Sequence, residues 1–348
     1  MDLKNKKTTT ETPISKVGEF GLIQRLTSGF IPKNNNTHTA IGDDAAVIKH
    51  GKKHLLFTAD MLVEGLHFDL TYTPLLHLGY KSVAVNASDI YAMNGTPTQL
   101  TISIAVSNRF GIESLEEFYH GVKIACEDYG VDLVGGDTTS SRSGFIISVS
   151  MLGEVDKKKI TFRSGAKRND LLVCTGDLGA AYLGLQLLRR ENEIFQKNPK
   201  TQPALEGNDY ILQRQLRPKA AKKYIEVLRD LDILPTSMID VSDGLSSEAL
   251  HLSKASNVSV SIYEDKIPID YTVMNMSEEF NLNPIFCALN GGEDYELLFT
   301  INQEDYAKIE KDPDFTIIGH ITEKSEGNSF ISKTGEVQPL TAQGWHSC

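Results

Sequence analysis

Leu100, Ile102, Ile104 and Val106 alternate with Thr101, Ser103, Ala105 and Ser107. This period of two specifies a β-strand with one buried face, and such a strand needs an apolar layer to lie against. Helical spacing on both sides supplies the layer. Before the strand, Val83, Ala87, Ile90 and Tyr91 share a stripe on a helix from Leu78 to Met93, with Asn86 and Asp89 three apart on another face. After it, Leu115, Phe118, Val122, Cys126 and Tyr129 form a second stripe. That helix opens with Ser114 and Glu117 in capping-box spacing and closes near Gly130. Further extended runs lie at Ala45–Ile48, His54–Thr58, Val131–Val134 and Phe145–Val155. We read the whole as a strand–helix–strand–strand–helix–strand unit, the split βαβ, ferredoxin-like arrangement of an α+β domain.

At 348 residues the chain exceeds one ordinary core. The charged stretch Asp156–Lys159 marks the expected boundary between an N-terminal domain, residues 17–155, and a mixed α/β C-terminal domain, residues 156–348. In the second half Leu171–Thr175 reads as a strand and Leu178–Arg189 as a helix. Glu191–Asp209 reads as a polar surface excursion, and Pro218 as the first residue of a helix ending near Asp230. Gly18–Leu26 has the spacing of a short amphipathic helix, and residues 1–16 the composition of a disordered extension.

Charge narrows the partners. Lys plus Arg total 35 against 46 Asp plus Glu, a formal charge of -11. Nucleic acid and anionic membrane need basic patches, so neither is expected. No apolar run reaches the roughly 20 residues of a membrane span, and the polar N-terminus lacks the apolar core of a signal peptide. The four cysteines are too far apart for a zinc or redox motif; Cys126 and Cys174 read as buried apolar residues, and a reduced, cytoplasmic setting follows.

The chemistry lies in aspartates beside glycine and small residues at element ends. These are Gly42-Asp43-Asp44, Thr58-Ala59-Asp60, Ser88-Asp89, Gly135-Gly136-Asp137, Asp240-Val241-Ser242-Asp243-Gly244 and Gly292-Glu293-Asp294. One such case alone is a turn or a cap. Asp240–Gly244 lacks the spacing and the final Glu of a calcium loop. No Walker lysine loop, protein-kinase triplet or nucleophile elbow is present. Several carboxylates converging with a triphosphate would repel strongly, and bound Mg²⁺ would remove that penalty. The residues therefore point to a metal-bridged polyphosphate site.

The motifs Ile41-Gly-Asp-Asp-Ala-Ala-Val47, Gly65-Leu-His67-Phe, Ser88-Asp89-Ile-Tyr-Ala-Met93, Val134-Gly-Gly-Asp137-Thr-Thr139, Arg163-Ser-Gly-Ala166, Asp240-Val-Ser-Asp-Gly-Leu245 and Gly291-Gly-Glu-Asp-Tyr-Glu-Leu297 stand in this order. The chain thereby resembles the thiamine-monophosphate kinase family, within the aminoimidazole-ribonucleotide synthetase superfamily. The resemblance implies ATP and several Mg²⁺ ions at a domain junction, thiamine monophosphate as phosphoryl acceptor, and a homodimer paired through N-terminal sheets. It implies metal ligation by Asp44, Thr58, Ala59, Asp60, Asp89, Asp137, Asp240 and Asp243, of which Asp60, Asp89, Asp137 and Asp240 are catalytic. It further implies ATP contacts from Tyr119, Gly136, Asp137, Arg163 and Ser242, and acceptor contacts from His67, Glu293 and Trp345. Ala59 stands where relatives often carry a hydroxyl, which leaves only its carbonyl for metal. The alternative is a selenophosphate synthetase-like enzyme, but that needs a reactive Cys near the N-terminus, and the first here is Cys126.

Overall fold

A computed structural model describes residues 18–342. Its N-terminal half is a six-stranded sheet of β1 (Thr37–Thr39), β2 (Ala46–His50), β3 (Lys53–Val63), β4 (Thr96–Val106), β5 (Asp132–Ser140) and β6 (Ile146–Asp156), in spatial order β1-β2-β3-β6-β4-β5. All pairs are antiparallel except β4–β5, which are parallel and joined by a helical crossover. Three helices belong to this half: α1 (Gly18–Thr27), α2 (Leu75–Ala92) and α3 (Ile112–Tyr129). From β3 onward the order is strand–helix–strand–helix–strand–strand, so the expected pairing of strands between the helices is corrected, while the mixed α/β class stands.

α2 sits at the heart of the molecule. Of its 18 residues, 14 are buried, so it is covered on nearly every side rather than along one stripe. It packs on β3 and β6 beneath, on α3 beside it, and on the second sheet above. Contact with α3 is backbone to backbone: a Cβ at Gly79 would stand 2.0 Å from Phe118 O, and one at Gly121 would stand 1.9 Å from Leu76 O. The polar side chains of α2 are consequently forced inside, which sets up the site. The α3 stripe is close to expectation, with Phe118, Val122 and Tyr129 buried and Gly130 closing the helix in the left-handed conformation at φ 70°. The capping box is not formed; the helix starts earlier, after Gly111, and no side chain caps it.

The second half is a seven-stranded sheet of β7 (Leu171–Thr175), β8 (Ser237–Asp240), β9 (Ser259–Tyr263), β10 (Leu297–Ile301), β11 (Phe315–Thr322), β12 (Ser329–Ile331) and β13 (Val337–Pro339). Its order is β13-β12-β9-β11-β7-β10-β8, antiparallel throughout except β12–β9. Around it lie α4 (Ala180–Lys197), α5 (Asp209–Leu216), α6 (Lys222–Asp230), α7 (Leu245–Ser256), α8 (Tyr271–Glu279), α9 (Pro284–Asn290) and the single turn α10 (Tyr306–Ile309). One apolar core runs through both halves, from Leu56, Val83 and Ile102 to Met238, Phe299 and Phe315.

Two expectations for this half are corrected. The supposed excursion after Glu191 is helical to Lys197, because Glu191 is buried and anchored by Arg190 (2.9 Å) and by the Ala204 N–H (2.8 Å). Pro218 does not open a helix; it lies between α5 and α6, and α6 begins at Lys222. Cys174 is buried and Cys126 half-buried, and both are free thiols. No described helix is long and apolar enough to cross a membrane.

Candidate active site at the junction of the two halves

A cleft of about 1380 Å³ opens between the halves. Its floor is acidic because β3, α2 and β8 each bring an aspartate there. Strand alternation on β3 turns Thr58 and Asp60 inward while Phe57, Ala59 and Met61 face out. α2 contributes Asp89, and β8 delivers Asp240 at its C-terminal end. Asp44 is brought in by the connection between β1 and β2.

One oxygen from each of Asp44, Asp89 and Asp240 lies within 4.8 Å of the others. Two unit charges at that separation repel by about 3.5 kcal/mol at an effective dielectric near 20. The protein offsets only part of this. Arg163 donates to Asp44 Oδ1 through Nη2 (2.6 Å) and Nε (3.1 Å), Ser88 Oγ donates to Asp240 Oδ2 (2.6 Å), and Thr58 Oγ1 donates to Asp89 Oδ2. Asp44 Oδ2 is buried and meets no donor among the described residues.

The carboxylates are poised accordingly. Burial, and then the Asp44 charge, push Asp240 up to about 7. Burial and Glu19 raise Asp60 to about 6, and burial followed by Asp60, Asp240 and Asp44 drives Asp89 well above the ordinary carboxylate value. Asp43, whose carboxylate accepts from the Arg163 N–H (3.2 Å), is lifted to about 7 by burial and by Asp44. Hard oxygens at this spacing, one of them orphaned, fit divalent cations such as Mg²⁺.

A stability consequence follows. Asp240 titrates at 3.8 when free and near 7 when folded, so the folded state binds more protons between those values. The contribution of Asp240 to metal-free stability is therefore fully present below about pH 4 and is lost as the pH rises toward 7. Melting temperatures taken with EDTA should decline over that window, and Mg²⁺ should restore more at pH 8 than at pH 5. A Mg²⁺ effect independent of pH would contradict the picture.

Beside Asp240 of the acid floor, residues 291–296 form an unusual loop. Gly292 (φ 70°), Glu293 (φ 58°) and Tyr295 (φ 54°) are all left-handed. Non-glycine residues persist there only where neighbours fix them. The Glu293 N–H donates to Ser242 O (2.7 Å) and the Tyr295 N–H to Val241 O (2.9 Å). The Glu293 side chain is clamped by Lys81 Nζ (2.8 Å) and Gln215 Nε2 (2.8 Å). His67 lies nearby in the cleft, its Nδ1 accepting from the Val63 N–H (3.0 Å), and burial lowers its pKa.

Of the residues singled out from sequence, Asp44, Thr58, Ala59, Asp60, His67, Asp89, Arg163, Ser242, Asp243 and Glu293 line this cleft, and Asp240 belongs to its floor. Gly136 and Asp137 do not reach it: they sit on the exposed edge strand β5, and Asp137 pairs with Ser103, across β4 and β6 from β3. Tyr119 is half-buried against Phe118 on α3, also away from the cleft. Trp345 lies outside the described residues. Lys81 and Gln215 escaped the sequence reading, and Ser88 appeared there only as part of a motif, without a role. A lysine within the apolar run Leu78–Ala92 was the one available signal.

Fold and cleft define the class. The AIR synthase related protein family matches in two parts, its N-terminal domain over residues 42–155 and its C-terminal domain over residues 167–332. Among curated relatives, the thiamine-monophosphate kinase of Aquifex aeolicus is 34% identical, covering 95% of this chain and 98% of the relative. That of Bacillus subtilis is 32% identical over 94% and 98%. The solved structure of AaThiL complexed with AMPPCP and TMP superposes with a TM-score of 0.81 at 33% identity, covering 97% of this chain and 99% of that one. The chain belongs to the thiamine-monophosphate kinase family.

Proposed function

We propose that the protein transfers the γ-phosphoryl group of ATP to thiamine monophosphate, giving thiamine diphosphate and ADP in thiamine diphosphate biosynthesis. The observation that carries this reading is the convergence of Asp44, Asp89 and Asp240 in one cleft that also holds Glu293 and His67. Asp44, Asp60, Asp89, Asp240 and Asp243, with Thr58 and the carbonyl of Ala59, would hold Mg²⁺. Bound there, the ions neutralise phosphate charge and align donor with acceptor.

The remaining work falls to the chain's own groups. Arg163, held by Asp44, presents fixed positive charge to the nucleotide, and Ser242 offers it a hydroxyl. Glu293 and His67 face the acceptor. The acceptor oxygen is anionic at neutral pH, so no strong general base is required. Transfer is direct, because the motif aspartates are committed to metal, and the hydroxyls that touch them, Ser88 and Thr58, are spent as donors to those carboxylates. Burial raises the Cys126 thiol to about 11, which disfavours the selenophosphate reading's reactive cysteine.

Gly136, Asp137 and Tyr119 are assigned to the nucleotide through a homodimer. Phe57, Met61, Leu133 and Val134 are exposed on the N-terminal sheet, and pairing with a second copy would cover them. We take residues 17–155 and 156–348 as two domains that share a core, and residues of both line the cleft. Incubation with ATP, Mg²⁺ and thiamine monophosphate should give a mass corresponding to thiamine diphosphate, with little product from unphosphorylated thiamine. No product at saturating substrates would overturn the assignment.

A further inference from the structure

α5 turns Ile211 and Gln215 to the interior, four residues apart on one face. Ile211 packs among Leu183, Leu187 and Val273. Gln215 is equally enclosed, at 6% exposure, in a position whose helical periodicity calls for an apolar side chain. Its backbone has little freedom, because α5 presses on Gly184 of α4, where a Cβ would stand 2.2 Å from Ile211 O and 3.0 Å from Gln215 Cβ. A buried amide at such a position departs from the apolar pattern, and departures of this kind concentrate at functional sites.

Only half of this amide is satisfied. Nε2 donates to Glu293 Oε2 (2.8 Å). A carboxylate accepts and does not donate, so this bond fixes which end of the amide is which. Oε1 is then the other end, buried and without a donor among the described residues. Gln215 also lines the cleft that holds the acid floor, as do Tyr182 and Leu185 of α4. Lys81 Nζ is already engaged with Glu293 Oε1 (2.8 Å) and donates to the Gln215 main-chain carbonyl (3.4 Å).

We propose that Gln215 Oε1 accepts a hydrogen bond from the exocyclic amine on the pyrimidine ring of the phosphoryl acceptor, making Gln215 a specificity-determining residue. The inference rests on thiamine monophosphate being that acceptor. A buried acceptor rejects a ligand that lacks the matching donor, because it is then left unpaired. The Glu293 bond and the contact of α5 with Gly184 fix the orientation of the amide.

The test compares thiamine monophosphate with an analogue carrying hydrogen in place of the pyrimidine amine. Wild-type protein should favour the natural substrate by roughly 10- to 100-fold in kcat/KM. Gln215→Met, of similar volume, should reduce that preference to less than about 3-fold. Losing the bond to Glu293 affects both substrates and cancels in the ratio, which a merely structural role would leave unchanged. Gln215→Leu, read the same way, serves if the Met variant does not fold. A wild-type enzyme that uses both compounds equally, or a variant that keeps the full preference, overturns the proposal while leaving the kinase reading intact. A wild-type enzyme that phosphorylates neither compound overturns both.

Discussion

Asp89→Asn should lower turnover by at least about 100-fold and, without Mg²⁺, raise the melting temperature. Both effects come from one cause. Asp89 is packed beside Asp60, Asp240 and Asp44, and burial together with these charges holds its carboxyl far above its usual range. Asn keeps the shape and can still accept from Thr58, but it removes a charge that only a cation would balance. The metal-free fold is relieved of that repulsion, for a gain of about 1–3 °C at pH 8. Steady-state kinetics and thermal melts in EDTA check the two halves separately. Near-normal kcat would remove Asp89 from the metal site, and a lower metal-free melting temperature would mean that its charge is already compensated.

Arg214→Met should destabilise the fold by about 3–5 kcal/mol. Arg214 on α5 reaches Glu296 Oε1 through Nη1 (2.6 Å), and its Nη2 lies 3.5 Å from Asp294 Oδ1 and donates to Asp177 O (2.8 Å). Asp294 in turn accepts from the Gly179 N–H (2.8 Å) and the Ala181 N–H (3.3 Å) at the start of α4. Removing the guanidinium leaves Asp294 and Glu296 buried without a cation, and breaking such a pair costs far more than the pair contributes. Asp294 lies within the left-handed stretch that carries Glu293 and Glu296 follows it directly, so the surviving folded fraction should also show a raised KM for thiamine monophosphate. Urea denaturation would show a lower midpoint; a loss below about 1 kcal/mol would mean that the network is solvated.

The parts of the fold legible in the sequence are those with one wet face. β4 stood out because its outward residues are polar and its inward ones apolar, and α3 because its stripe is narrow. α2 was recognisable as a helix, yet its burial on nearly every side was not, since that depends on the second sheet lying above it. β5 extends to Ser140, well past the expected Val134, because an exposed edge strand rich in Gly, Asp and Thr carries no alternation to read. The continuation of α4 past Glu191 was hidden by polarity that a single buried glutamate makes tolerable.

The site divides the same way. Asp44, Asp60, Asp89 and Asp240 sit beside small residues at or near element ends, a local signature that survives without the fold. Lys81 and Gln215 acquire meaning only through Glu293, which is more than seventy residues from either. No local pattern encodes that meeting. Asp137 shows the converse: its motif is local and clear, but the edge of the sheet places it away from the cleft of its own chain.

The central claim is that ATP and thiamine monophosphate meet over the acidic floor and that the phosphoryl group passes directly between them. A single-turnover reaction with γ-³²P-labelled ATP tests it most closely. With Mg²⁺ and thiamine monophosphate present, the label should appear in thiamine diphosphate, none should remain on the protein, and EDTA should abolish the transfer. Label recovered on the protein at close to one per chain, or released only as inorganic phosphate, would contradict it.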